Sequence, residues 1–120
     1  MKHISHSGRA VTVDGVTWVT EYPVKEAFAL AEAVCVLLEP DAYLSDSGYS
    51  KERRRGEGAL RNLRAYSPNG VLLWEAEFPD EADYYYRIVS REPLEVLSFS
   101  SYRCRIDPES GRIVEARFMK

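Results

Sequence analysis

The chain has 120 residues, of which 45% are hydrophobic and 29% charged, and its net charge is −3. That length suits one domain, which buries roughly two thirds of its unfolded surface without needing staples. The composition excludes a disordered or fibrous chain, and the negative balance argues against nucleic acid as a bulk ligand.

Residues 9–13 and 16–22 are rich in β-branched side chains and flank Asp14-Gly15. Glycine there accepts the positive φ of a primed turn, so a hairpin is predicted with its register open. Beyond Pro23, residues 24–32 are good helix formers with a proline at the start, which predicts a short helix. Ala33-Val34-Cys35-Val36-Leu37-Leu38 is a continuous apolar run stopped by Glu39-Pro40. Such a run suits a strand buried on both faces, the alternative being one helix over 25–38. Residues 41–58 are polar and carry Gly48, Gly56 and Gly58, which predicts a long, mobile loop.

In the second half, residues 60–66 and 71–78 flank Ser67-Pro68-Asn69-Gly70, a hairpin turn by its chemistry. Alternation then puts Leu63 and Ala65 on one face with Leu72, Trp74, Ala76 and Phe78. Asn62 and Arg64 point the other way, beside Glu75 and Glu77. Strands follow at 84–90 and 94–100, and a last hairpin joins 102–106 to 112–118 through Asp107-Pro108-Glu109-Ser110-Gly111. Turn signals every 8 to 12 residues predict a mainly β fold. It reads as an antiparallel meander of about eight strands, curled into a sandwich or partly open barrel, with one short helix near 24–32. The two later hairpins share a scheme of strand, Asp/Ser-Pro turn closed by glycine, strand.

The stretch Asn62-Leu63-Arg64-Ala65-Tyr66-Ser67-Pro68-Asn69-Gly70-Val71-Leu72-Leu73-Trp74-Glu75 resembles one hairpin of a quinoprotein-type β-propeller blade, which implies local geometry only. The order of features also resembles small bacterial cytosolic β proteins of the toxin-immunity type. Those share an Asn-x-x-Ala-Tyr/Phe…Gly-x-Leu-Leu-Trp hairpin, a Tyr-Tyr strand and a final Ile-Asp-Pro-x-x-Gly hairpin. The resemblance implies a protein partner and brings no catalytic residues with it.

Residues 67–83 hold Glu75, Glu77, Asp80, Glu81 and Asp83 and no basic residue. A concentrated negative patch steers a basic partner, whereas a solvated face neutralised by Arg64 has no such role. In Tyr84-Tyr85-Tyr86 the middle residue faces opposite to its neighbours. Tyr85 is taken as the outward phenol, because tyrosine buries a large area at interfaces at low entropic cost. Lys51, Arg53, Arg54 and Arg55 lack the interleaved aromatics of a nucleic-acid platform and read as a solvated loop. His3 and His6 have no nearby third ligand, so no metal is expected. Cys35 and Cys104 read as small buried hydrophobes of a reduced protein.

No nucleophile–base pattern, Gly-rich phosphate loop or isolated carboxylate pair stands out. No apolar run approaches the roughly 18 residues of a membrane span, and residues 1–7 lack a signal peptide's apolar stretch. The expectation is a cytoplasmic, non-catalytic protein-binding module without cofactor. In its most concrete form it is an immunity protein that occludes a toxin's active site through Glu75, Glu77, Asp80, Glu81, Asp83 and Tyr85. A small-molecule-binding barrel and a small enzyme are the alternatives.

Overall fold

Eleven strands form among the residues that the computed structural model describes, 3–41, 61–80 and 83–119. The first sheet holds β1 (Ile4–Ser7), β2 (Ala10–Val13) and β3 (Val16–Val19), in that order. The central sheet holds β4 (Val24–Leu30), β5 (Ala33–Leu38), β6 (Leu63–Tyr66) and β7 (Leu72–Glu75). The third holds β8 (Tyr85–Arg91), β9 (Leu94–Ser98), β10 (Tyr102–Ile106) and β11 (Ile113–Phe118). Every pairing is between consecutive, antiparallel strands, so the chain is a meander cut into three open sheets.

The central sheet is the middle layer of a stack, and β5 shows why. All six of its residues are buried. Ala33, Cys35 and Leu37 join a core with Leu63, Ala65, Trp74, Tyr85, Val96, Cys104 and Ile106 of the central and third sheets. Val34, Val36 and Leu38 join Val11, Val13, Val24 and Tyr66, which puts them against the first sheet. A strand apolar at every position belongs between two layers, as its sequence predicts.

The helix expected near 24–32 is strand β4 instead, and the count rises from about eight strands to eleven. Lys25, Glu26, Ala27 and Leu30 favour helix in isolation, but pairing with β5 outweighs a propensity of at most a few tenths of a kcal/mol per residue. A register shift between Val24 and Glu26 turns Val24 toward the first sheet while Phe28 and Leu30 face the third. The β4–β5 turn is only Ala31-Glu32, with Ala31 at φ +54. A primed turn without glycine or asparagine gives no sequence signal.

A shared device links the layers. The Trp18 indole of β3 donates to the Pro68 carbonyl, 3.0 Å away, in the β6–β7 turn. The Trp74 indole of β7 donates to the Pro108 carbonyl, also at 3.0 Å, in the β10–β11 turn. Each ring lies on the glycine closing that turn: a Cβ on Gly70 would sit 2.6 Å from Trp18, and one on Gly111 2.5 Å from Trp74. Both glycines also have positive φ. Thus the two Pro-to-Gly hairpins of similar sequence are the docking seats for the tryptophan of the preceding sheet.

Cys35 and Cys104 are free, fully buried thiols in the same core. Burial raises both thiol pKa values, most strongly for Cys35. A thiol reagent at neutral pH should therefore label neither in the native protein and both once it unfolds, because the thiolate is the reactive form. Labelling of the folded protein within minutes would show that this core opens.

Candidate functional site

The described residues of the acidic segment have separate partners in the fold. Glu75 is half-buried on β7, with Oε2 3.8 Å from Arg64 Nε. Arg64 itself is buried between the first and central sheets, where its Nη2 donates to Glu21 at 2.8 Å and its Nε to the Arg61 carbonyl. Glu77 is exposed, yet its carboxylate accepts the Ile113 amide at 2.8 Å and so tethers β11. Asp83 is fully buried and accepts from the Tyr84 amide, the Ser100 amide and the Ser100 hydroxyl. Asp80 is exposed, and Glu81 lies outside the described residues, as do 42–58 of the expected loop and the basic run Lys51–Arg55.

The tyrosine alternation holds with the opposite sense. Tyr85 points inward and is 0% exposed, so the outward phenol assigned to it belongs to its neighbours. Its ring stands edge-on to Phe78 at 5.4 Å, and its hydroxyl donates to the Glu77 carbonyl. Burial pushes the phenol's pKa up, so the ring stays neutral. Asn62 fixes this orientation. Its Oδ1 accepts the Tyr85 amide at 3.0 Å, and its Nδ2 donates to the Tyr85 carbonyl at 2.6 Å and the Leu38 carbonyl at 3.4 Å. Asp83, Tyr85 and Asn62 therefore hold the fold and cannot meet a partner.

Tyr84 and Tyr86 face the other way and build a surface site. Tyr84 stacks on Phe99, with centroids 5.0 Å apart and planes at 17°. Phe99 is 63% exposed and Tyr86 39%. With Lys25, Glu39, Pro40 and Asp41 they line an open depression of about 340 Å³. The Lys25 ammonium is held against the Tyr86 carbonyl at 2.5 Å, and Glu39 and Asp41 line the same depression as the aromatic rings. An aromatic stack beside carboxylates attracts a cationic side chain through the ring quadrupole and through charge together. Sequence reading flags the tyrosines but misses Phe99, whose signal is an apolar residue out of phase with Leu94, Val96 and Ser98.

A second cleft, of about 300 Å³, opens where the turns β4–β5, β8–β9 and β10–β11 converge. Its floor is apolar, with Leu30, Leu94 and Ile106, and Arg91 and Arg105 stand at its rim. Both guanidiniums are engaged: Arg91 lies 2.8 Å from Glu26 and 4.4 Å over the Phe28 ring, and Arg105 lies 3.2 Å from Glu95. Among the described residues no group of three His, Cys, Asp or Glu side chains is placed to hold a metal ion. Nor is any of their helices long and apolar enough to cross a membrane.

The model of a family described as a domain of unknown function, DUF7957, matches residues 1–118. The chain belongs to that family. No curated protein and no solved structure matches it. The DUF7957 match runs through all three sheets, so the aromatic depression and the cleft both lie within it.

Proposed function

We propose that this DUF7957 chain is a non-catalytic protein-binding module that takes a basic element of its partner into the Tyr84–Tyr86–Phe99 depression. In its most concrete form it is a cytoplasmic immunity protein covering the basic substrate groove of a bacterial toxin. The observation that carries this reading is Phe99, a large aromatic left 63% exposed on a stacked tyrosine beside Glu39 and Asp41. An exposed aromatic held rigid by its own stack loses little entropy on binding, the property that makes such residues hot spots. Two buried free thiols suit the reducing cytoplasm. The acidic contribution comes from Glu39 and Asp41, which line the depression, in place of the segment expected from sequence.

The test is titration of a candidate partner, a basic domain encoded beside this gene, against wild type, Phe99→Ala and Glu39→Lys. Phe99→Ala should weaken binding by about tenfold or more, the cost of losing ~1.4 kcal/mol or more at a hot spot. Glu39→Lys should slow association and flatten its dependence on salt, since exposed charges are screened over about 8 Å at physiological ionic strength. Glu115→Lys, on the far edge strand β11, should change neither. Equal affinity and equal salt slope for all four proteins would refute the assignment.

Small-molecule binding is favoured by one observation, the apolar floor of the 300 Å³ cleft. A probe of that kind should be lost on Leu94→Glu and unaffected by Phe99→Ala, the reverse of the pattern above.

A further inference from the structure

Among the described residues the three open sheets leave six edge strands, and five of them are blunted. β4 carries Lys25, Glu26 and a bulge, and β7 carries Glu75 and a register shift against β6 at Ala65/Tyr66. β8 has Arg87, Arg91 and two shifts, and β11 has Glu115, Arg117 and a shift against β10. β1 packs along β4, where the Val24 amide reaches the Gly8 carbonyl at 2.8 Å. β3 has none of these devices. Its sequence is Val16-Thr17-Trp18-Val19, without charge or proline, and its ladder with β2 is regular from end to end.

Natural sheets protect free edges with charges, prolines, bulges or cover, so a bare edge is one that is meant to be paired. The geometry says which groups pair. The Thr20 amide donates to the Arg9 carbonyl, and the Asp14-Gly15 turn closes on Val13 and Val16. Hydrogen-bonded pairs alternate along an antiparallel ladder, so Trp18 is bonded to Val11 and the amides and carbonyls of Thr17 and Val19 point away from β2. Val16 and Val19 are 48% and 66% exposed along that edge. Gly70 lies under Trp18, and the residues that follow it, Val71, Leu72 and Leu73, are exposed as well. An apolar shoulder thus flanks the bare edge.

We propose that β3 pairs antiparallel with β3 of a second copy of this chain, making one six-stranded sheet across a two-fold axis at Trp18. In that register Thr17 and Val19 of one copy exchange hydrogen bonds with Val19 and Thr17 of the other. The edge is neutral and self-complementary, so the two-fold operation opposes no like charges, whereas the charged edges β4, β8 and β11 would meet their own arginines, lysine and glutamates. The second copy also covers Val71–Leu73, the apolar shoulder that no described element buries.

Sedimentation velocity over a concentration series up to the millimolar range tests the pairing on the full chain. Wild type should move from the mass of one chain to that of two, and the Thr17 and Val19 amides should gain exchange protection over the same range. Val19→Pro removes only an outward amide, and Val19→Lys adds a charge at the axis. Both should hold the protein at the mass of one chain with an unchanged β signal in circular dichroism. Val114→Lys on β11 should behave as wild type. A wild type that stays at one chain throughout, variants that still reach two, or a pairing lost on Val114→Lys would each overturn the proposal. So would added mass without protection at Thr17 and Val19.

Discussion

Trp74→Ala should lower the free energy of unfolding by about 3–5 kcal/mol, a large share of the roughly 5–15 kcal/mol that holds a domain together. The ring is 9% exposed and sits in the core shared by the central and third sheets, next to Leu63, Ala65 and Ala76. Its loss removes packing area and also orphans the Pro108 carbonyl, which accepts the indole N–H. Gly111→Ala attacks the same contact from the other side, since its Cβ would lie 2.5 Å from the ring at φ +76. The two substitutions should therefore be strongly non-additive, because with the indole gone only the backbone strain of the alanine and its 3.2 Å contact with the Glu75 carbonyl remain. Trp18→Ala should cost less, as Trp18 is only half-buried on its seat at Gly70. Denaturant melts of the three single variants and the Trp74/Gly111 double variant check this. Additive costs, or a midpoint unmoved by Trp74→Ala, would show that the indole does not fasten the two sheets.

Much of this architecture is legible in the chain where local chemistry and tertiary demand agree. The six-residue run at 33–38 reads as a doubly buried strand because nothing but two covering layers satisfies it. Asp14-Gly15, Ser67–Gly70 and Asp107–Gly111 read as turns because glycine supplies φ values of +88, +91 and +76 there. Legibility fails where the two demands conflict. Residues 24–30 have helical preferences but face a strand that needs a neighbour, and the turn that brings them back has Ala31 at φ +54. Alternation predicts Leu72 in the core with Trp74, yet the register shift at Ala65/Tyr66 pairs Leu72 with Tyr66 and leaves it 45% exposed. A bulge reverses the faces of everything beyond it, and two-fold alternation has no means of showing that. The same limit explains the acidic segment. Charge along the sequence locates carboxylates, but Asp83 and Glu77 are absorbed by backbone amides that only the folded sheets bring within reach.

Asn62 reads in sequence as one more polar residue on the outer face of a strand, yet its substitution should separate the central and third sheets. Asn62→Ala should cost about 3 kcal/mol, since it leaves the buried Tyr85 amide and carbonyl without partners at ~1–3 kcal/mol for each unsatisfied group. Asn62→Asp is the sharper experiment. A carboxylate retains the acceptor for the Tyr85 amide but replaces the Nδ2 donor with oxygen, facing the Tyr85 and Leu38 carbonyls. Burial and those two carbonyls both oppose the charged form, so the folded-state pKa of the introduced carboxyl group is raised above the unfolded value of about 3.9. A group raised in this way stabilises fully below its unfolded pKa and loses that contribution as pH rises through the folded one. Relative to wild type, Asn62→Asp should therefore be least destabilised below about pH 4, under the unfolded carboxyl's own pKa, where the protonated acid can donate as the amide did. Its deficit should widen as pH rises toward neutrality, while that of Asn62→Ala stays level. Parallel pH profiles for the two variants would mean that donation to the Tyr85 carbonyl does not join the sheets. The inward turn of Tyr85 would then rest on its packing against Phe78 and on its hydroxyl's bond to the Glu77 carbonyl.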